Sequence, residues 1–207
     1  MRAVPEHIPR DPKPATTPKP NDTNKEQPMT TQTTTTSLPS SSLPSNEAPY
    51  VLATDDGEHR HFLNHLATTK VDAGESGSMA AIEFSAPKGF GPPLHVHHDE
   101  DEVMIVLEGE VAFRSGDDEQ IGVAGSTVYL PHGVPHTFQV LSESARCTTV
   151  AARLHGAPLF GRFVAELGED LDAPVTPAPV DIDPAAVAEA GARHGLTILG
   201  PPPAPLD

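Results

Sequence analysis

Cysteine and basic residues are both scarce in this sequence. The single cysteine, Cys147, cannot form an internal disulfide; this fits a reducing compartment, and we expect a cytoplasmic protein. Its strand-like surroundings predict a small buried side chain. The 13 Lys and Arg stand against 29 Asp and Glu, a formal net charge of −16, which serves solubility and disfavours nucleic acid and membrane surfaces as partners. No apolar run is long enough to span a bilayer or to act as a secretory signal.

Residues 1–49 contain almost none of the aromatic and β-branched aliphatic side chains that build a core. They hold ten of the 24 prolines and a Thr/Ser-rich tract from Thr30 to Ser45. Such a segment buries too little apolar surface to offset the entropy of ordering it. We therefore predict a disordered N-terminal tail, within which Met29 is an alternative start.

From Tyr50 onward the sequence changes to short strand-like runs separated by Gly, Pro and Asp-rich turns. Glu108–Glu110 and Ser115–Asp118 have the composition of hairpin turns. Many short strands without helical periodicity predict an all-β sandwich or a small jelly-roll barrel. The predicted strands are Glu58–Val71, Ser78–Ala86, Pro93–His98, Glu102–Leu107, Glu110–Arg114, Ser126–Leu130, His136–Leu141 and Arg146–Leu154.

Two further features lie outside the alternating pattern. The run Val103–Leu107 is apolar on both faces, which predicts that a second subunit, or the terminal segment of the chain, packs outside the barrel. A homodimer is therefore expected. After the barrel, Leu159–Leu167 has the apolar spacing of a short amphipathic helix. A proline-rich connector then leads to a second helix, which starts at Asp183-Pro184 and ends at Gly195.

Three histidines and one glutamate have the spacing of a metal site. His95 and His97 are two positions apart, so on a strand they share a face. Glu102 can point to the same side as these two histidines only if the acidic stretch before it bends the chain. The third histidine, His136, follows a turn that begins at Pro131. Taken alone, each of these four residues is most simply explained as an ordinary surface or core residue. Together they predict one divalent transition metal ion, Fe, Mn, Co, Ni, Cu or Zn, with one or two positions left for water or substrate.

Strand alternation places apolar side chains beside these four residues. Met104 and Val106 share the face of Glu102, and Phe138 and Val140 share that of His136. We therefore expect an apolar cavity next to the metal. A second histidine group, His59-x-His61 with His65, has no accompanying carboxylate turn, and we interpret it as a solvated strand face.

These two segments resemble the two motifs of the cupin superfamily. All four ligand positions of that family are filled, by His95, His97, Glu102 and His136, although Val140 stands where the second motif commonly ends in Asn. The resemblance implies a cupin barrel over residues 50–156, followed by a C-terminal helical extension and Pro-rich tail over residues 157–207.

More narrowly, the segments Gly91–Glu102 and Pro131–Phe138, with the helix ending Glu-Leu-Gly-Glu, resemble single-domain, quercetinase-like bacterial cupins. That resemblance implies a dioxygenase that opens a flavonol with O2 and releases carbon monoxide. Glu102 would be a fourth metal ligand or the base that takes the 3-hydroxyl proton. The slot for a planar aromatic substrate would be formed by Met104, Val106, Tyr129, Phe138 and Val140.

Two other functions remain open at this stage, because a fold is a weak guide to chemistry. A metal-binding cupin can be an isomerase, a cyclase or a lyase of a polyketide-like enol, which needs the same Lewis acid but no oxygen. A non-enzymatic cupin can instead bind a small ligand. Anaerobic activity would favour the first alternative, and a co-purified ligand without turnover the second.

Overall fold

The computed structural model describes residues 43–205. The predicted tail therefore lies outside the described residues over positions 1–42. The described part is mostly β-structure, as predicted, and has two short helices, α1 (Phe160–Leu167) and α2 (Pro184–Arg193). The strands are β1 (Glu58–Phe62), β2 (His65–Val71), β3 (Met79–Pro87), β4 (His95–His97), β5 (Glu100–Glu108), β6 (Glu110–Ser115), β7 (Asp118–Val123), β8 (Thr127–Leu130), β9 (Thr137–Val140), β10 (Ser144–Arg153), β11 (Glu169–Leu171) and β12 (Leu196–Ile198).

Two antiparallel sheets enclose the first part of the core. A seven-stranded sheet has the order β11-β1-β2-β3-β10-β5-β8, and a three-stranded sheet has the order β7-β6-β9. Alternate residues of β3, β5 and β10 are buried and meet the inner face of β6 and β9, which gives the predicted jelly roll. Cys147 belongs to this cluster and is fully buried, and burial raises the pKa of its thiol to about 12.

The two helices complete the core at the other end of the seven-stranded sheet. Phe163 and Val164 of α1 and Val187 of α2 pack with Phe62 and Ile82 of the sheet. The α2 helix begins as predicted, because the side chain of its N-cap residue, Asp183, accepts a hydrogen bond from Ala185 N and Pro184 takes the first helical position. Neither helix has the length and apolar character needed to cross a membrane, a finding limited to residues 43–205.

Several strand boundaries differ from the sequence prediction. The predicted strand Glu58–Val71 is a hairpin, whose turn is made by Leu63 and Asn64, both at positive φ. The turn at Gly116 joins a true hairpin, but Gly109 marks a corner where the chain leaves the seven-stranded sheet and enters the three-stranded one. The strands β7, β11 and β12 were not predicted; the last two are only three residues long and are fixed by their partners β1 and β4.

The outer face of β5 is half-buried at Val103, Ile105 and Leu107. Among the described residues, the main strand contacts of α1 are with β1 and β3 and those of α2 are with β12, so neither helix packs chiefly on β5. The homodimer stays a prediction.

Candidate metal centre

Four side chains converge at the seam between the barrel and the C-terminal helices. The β4 strand carries His95 and His97, β5 carries Glu102, and His136 forms an isolated antiparallel bridge with His95 just before β9. One ligand atom from each residue lies within 4.8 Å of all the others. The Oε2 atom of Glu102 is 3.5 Å from Nε2 of both His97 and His136. This arrangement could hold a metal ion.

The local chain path explains why the sequence spacing works. The β4 strand ends at His97, the chain bends at His98 and Asp99, and β5 begins at Glu100. The predicted bend is present but shorter than expected. On the other side, Gly133 takes a positive φ and donates a hydrogen bond from its N–H to the carbonyl of His97, so the turn that delivers His136 is fixed to the ligand strand.

The hydrogen bonds of the histidines fit a metal. The Nδ1 atoms of His95 and His136 lie 2.8 Å and 3.0 Å from the carbonyl oxygens of Pro93 and Val134. A carbonyl only accepts, so both Nδ1 atoms carry the proton and each Nε2 keeps its lone pair. Within residues 43–205, Nε2 of the buried His97 and His136 has no hydrogen-bond partner. Imidazole nitrogens that converge beside a carboxylate are the donor set of a divalent transition metal ion.

The charges of the site are arranged to keep Glu102 ionised. Burial would raise the pKa of this carboxyl group, but His97, His136 and His95 outweigh burial and hold it at about 2. Burial and the neighbouring imidazoles His136 and His97 lower the pKa of His95 to about 3. For His97, burial is outweighed by Glu102 and Glu100, which raise the pKa of its imidazole.

One residue of the site was missed by the sequence prediction. Glu100 is 2% exposed, and its carboxylate lies 3.7 Å from Nδ1 of His97. The same carboxylate accepts hydrogen bonds from the backbone N–H groups of Leu159 and Phe160 at the start of α1. Glu100 shares the inward face of β5 with Glu102, two positions further on, so strand parity would have identified it had β5 been predicted to begin at residue 100.

An apolar cavity of about 70 Å³ is lined by three of the four residues, His95, Glu102 and His136, whereas His97 does not line it. Of the predicted slot residues, Met104 and Phe138 line it. Val106 and Val140 are fully buried in the barrel core and do not line it. Aromatic rings dominate the remaining wall, which is formed among others by Phe62, Phe84, Phe90, Phe160 and Phe163.

Two side chains lie where the sequence prediction did not place them. Tyr129 is 60% exposed and its hydroxyl donates to Asp101, so its assignment to the slot is wrong. It alternates with Leu130, and it is Leu130 that lines the cavity. The predicted solvated face at His59 is also wrong, because His59 is 2% exposed and its Nδ1 lies 3.0 Å from the hydroxyl oxygen of Thr68.

Comparison with known families agrees with this geometry. The Cupin domain family matches residues 82–151, which include all four converging side chains. The fold is therefore the jelly roll of a cupin, and the family match is confined to residues 82–151. Its relatives include quercetin 2,3-dioxygenase of Bacillus subtilis, 28% identical over 113 residues, which are 54% of this chain and 34% of that enzyme. The cupin chain thus spans about a third of the length of that relative.

Two further matches are an uncharacterised protein and a solved structure. An uncharacterised protein of Streptomyces coelicolor is 29% identical over 102 residues, 47% of this chain and 82% of that protein. Among solved structures, a sugar phosphate isomerase from a cupin superfamily of Silicibacter pomeroyi is 22% identical with a TM-score of 0.40, covering 44% of this chain and 60% of that one.

Proposed function

We propose that this protein is a metal-dependent dioxygenase that cleaves a flavonol or a similar aromatic enol with O2. The observation that carries the proposal is the convergence of four potential ligands, three of which, His95, Glu102 and His136, lie at the wall of an apolar, aromatic cavity. A planar aromatic substrate suits such walls, and its enol oxygen would be directed to the ion. The similarity to quercetin 2,3-dioxygenase over the cupin domain supports the same chemistry.

The residues of the chain have distinct tasks in this proposal. A divalent ion bound by His95, His97 and His136 would supply Lewis acidity to the enol oxygen. Glu102 is a carboxylate at neutral pH, so it can either complete the ligand set or accept the enol proton. Phe138 and the other apolar side chains keep water from the reacting end of the substrate.

The size of the cavity sets a condition on this proposal. Pockets for drug-sized ligands have volumes of about 300 to 1,000 Å³, well above the 70 Å³ beside the metal centre. A second apolar space of about 520 Å³ adjoins it. The two spaces share a wall, so a flavonol requires this wall to move and join them. The shared wall consists of Leu63, Pro92, Pro93, Val187 and Ile198.

The small closed cavity supports a second candidate function. An enol much smaller than a flavonol would need less displacement of the wall. In that case the same ligand set would serve an isomerase, a cyclase or a lyase, none of which consumes oxygen.

Oxygen uptake separates these functions. The protein would be loaded in turn with Fe, Mn, Co, Ni, Cu and Zn and assayed with a panel of flavonols in an oxygen electrode, with carbon monoxide as the second readout. We expect uptake with at least one metal, and none in His136→Ala, which lacks a ligand. No uptake with any combination would refute the dioxygenase, and turnover of an enol without oxygen would establish the second candidate.

A homodimer is also part of the proposal. The half-buried apolar residues Val103, Ile105 and Leu107 on the outer face of β5 support a second copy there. Light scattering should give twice the monomer mass, and Ile105→Glu should give the monomer mass while metal content is unchanged. A monomeric wild-type protein would exclude this assembly.

A further inference from the structure

The cavity contains a buried histidine that the proposed reaction does not use. His65, the first residue of β2, is 7% exposed and lines the same cavity as His95, Glu102 and His136. Its Nδ1 atom has no hydrogen-bond partner within residues 43–205. Buried polar atoms without a partner are destabilising and rare, so each one needs an explanation.

The surroundings of His65 are aromatic. Ring centroids of Phe62, Phe84 and Phe90 lie 5.4, 5.7 and 4.5 Å from that of His65. A phenylalanine ring packs well against an imidazole but offers no hydrogen-bond acceptor of ordinary strength. Packing alone would therefore be served equally well by a phenylalanine or a leucine at position 65.

His65 is a neutral imidazole at physiological pH, because burial lowers its pKa to about 3 and outweighs the opposing effect of the Leu63 backbone carbonyl. A neutral imidazole has one nitrogen that donates and one that accepts. A hydroxyl group both donates and accepts, so it can bond to either tautomer. A carboxylate or an ammonium group would match one tautomer only and would have to lose its hydration in an apolar cavity.

Aromatic rings connect His65 to the metal centre. The ring of Phe90, 4.5 Å from His65, lies 6.1 Å from that of Phe138, which follows His136 by two residues. In the seven-stranded sheet β3 and β10 separate β2, which carries His65, from β5, which carries Glu102. A ligand that reaches from the ion to His65 must therefore be elongated, and aromatic rings are the natural contacts along this path.

We propose that His65 positions the substrate by hydrogen-bonding a hydroxyl group at the end of the molecule remote from the metal ion. The inference rests on the proposed function, since it requires an aromatic enol in the cavity. It adds that the substrate carries a second hydroxyl group, on a ring other than the one that reacts. His65 is a positioning residue, and specificity for hydroxylated substrates follows from it.

The test compares two flavonols that differ at the remote end. Quercetin carries hydroxyl groups on its outer rings, whereas 3-hydroxyflavone has only the hydroxyl that reaches the metal. Binding to the metal-loaded protein is measured without oxygen, by the absorbance change of the flavonol. We expect wild-type protein to prefer quercetin, and His65→Phe to lose about tenfold in affinity for quercetin and little for 3-hydroxyflavone. A second variant, His65→Leu, should behave alike.

His59→Phe is the matched control, since His59 is a buried histidine that does not line the cavity; it should leave the preference unchanged. An equal loss for both flavonols in His65→Phe, or no loss, would overturn the inference while leaving the dioxygenase intact.

If wild-type protein binds no flavonol, the proposed function fails, and ¹⁵N NMR of His65 decides the inference alone. Phenol should then shift the imidazole nitrogens and toluene should not; no shift with phenol would overturn it.

Discussion

The carboxylate of Glu100 faces Nδ1 of His97 at 3.7 Å, while Nε2 of the same imidazole faces Glu102 at 3.5 Å. His97 therefore lies between two buried acids. Because Glu100 also accepts from the backbone at the start of α1, one side chain connects the helix to the ligand strand. A carboxylate that hydrogen-bonds a metal-binding imidazole orients it and increases its basicity, and Glu100 lies on the side of His97 that suits this role.

Glu100→Gln should weaken metal binding without removing a ligand. Outer carboxylate partners of ligating histidines typically change metal affinity by about 10- to 100-fold, and we expect a loss in that range. Competition with a chelator for Zn²⁺ or Mn²⁺ gives the affinity. Glu110→Gln, at an exposed position on β6, is the control of equal charge change. Equal affinities in the two variants would contradict the role of Glu100.

Substitutions of Glu102 distinguish a ligand from a base. If Glu102 is a ligand, Glu102→Ala should bind the ion more weakly, and added formate should partly restore the affinity. If it is the base, the same variant should keep its ion and lose turnover by about 10²- to 10⁴-fold. Elemental analysis and oxygen uptake on the same sample decide. Full activity with full metal content would exclude both roles.

The stability of the metal-free protein should depend on pH through His65. The folded-state pKa is about 3 and the unfolded value about 6.5, so between these limits the unfolded chain binds the extra proton. The contribution of His65 to the free energy of unfolding therefore decreases as the pH falls from about 6.5 to 3, by at most about 1.4 kcal/mol per pH unit. Urea unfolding of wild-type protein and His65→Phe, compared from pH 7 to pH 4, isolates the effect. If the free energies of unfolding of the two proteins changed in parallel with pH, His65 would titrate normally in the folded protein.

Asn64 should be important at the β1–β2 turn for two reasons. Its φ of 65° is a conformation that glycine adopts freely and most residues do not, and its side-chain amide both donates to and accepts from the backbone of Val180. Both Asn64→Gly and Asn64→Ala lose the amide, but only alanine also strains the backbone. We expect Asn64→Ala to be less stable than Asn64→Gly by about 1 kcal/mol in urea unfolding. Equal stabilities would mean that the turn relaxes.

The sequence predicted the four converging residues because their spacing follows strand geometry. Two histidines at i and i+2 share a face on any strand, and a turn rich in glycine and proline precedes the third. Glu100 was hidden because its role depends on the length of the bend, two residues rather than four, and composition does not determine that length. The prediction for Tyr129 failed for a similar reason. The register of β8 against β5 determines on which side of the sheet this side chain lies.

Other misses come from structure that tertiary contacts impose. A turn through Leu63 and Asn64 has no glycine to mark it, so the hairpin appeared as one long strand. The cavity roof could not be predicted, because it comes from α1, α2 and β12, whose positions depend on contacts far along the chain. The two short helices themselves were predictable from the apolar spacing and from the Asp-Pro start.

The pairing of β4 with β12 has a consequence for the order of folding. The contact between His98, which follows β4, and Thr197, the central residue of β12, joins residues 99 positions apart. Closing so long a loop costs chain entropy before the contacts repay it, so the ligand strand gains its neighbour late. Metal capture should accordingly follow the docking of the C-terminal segment, and the ion, once held, would favour the docked state by mass action.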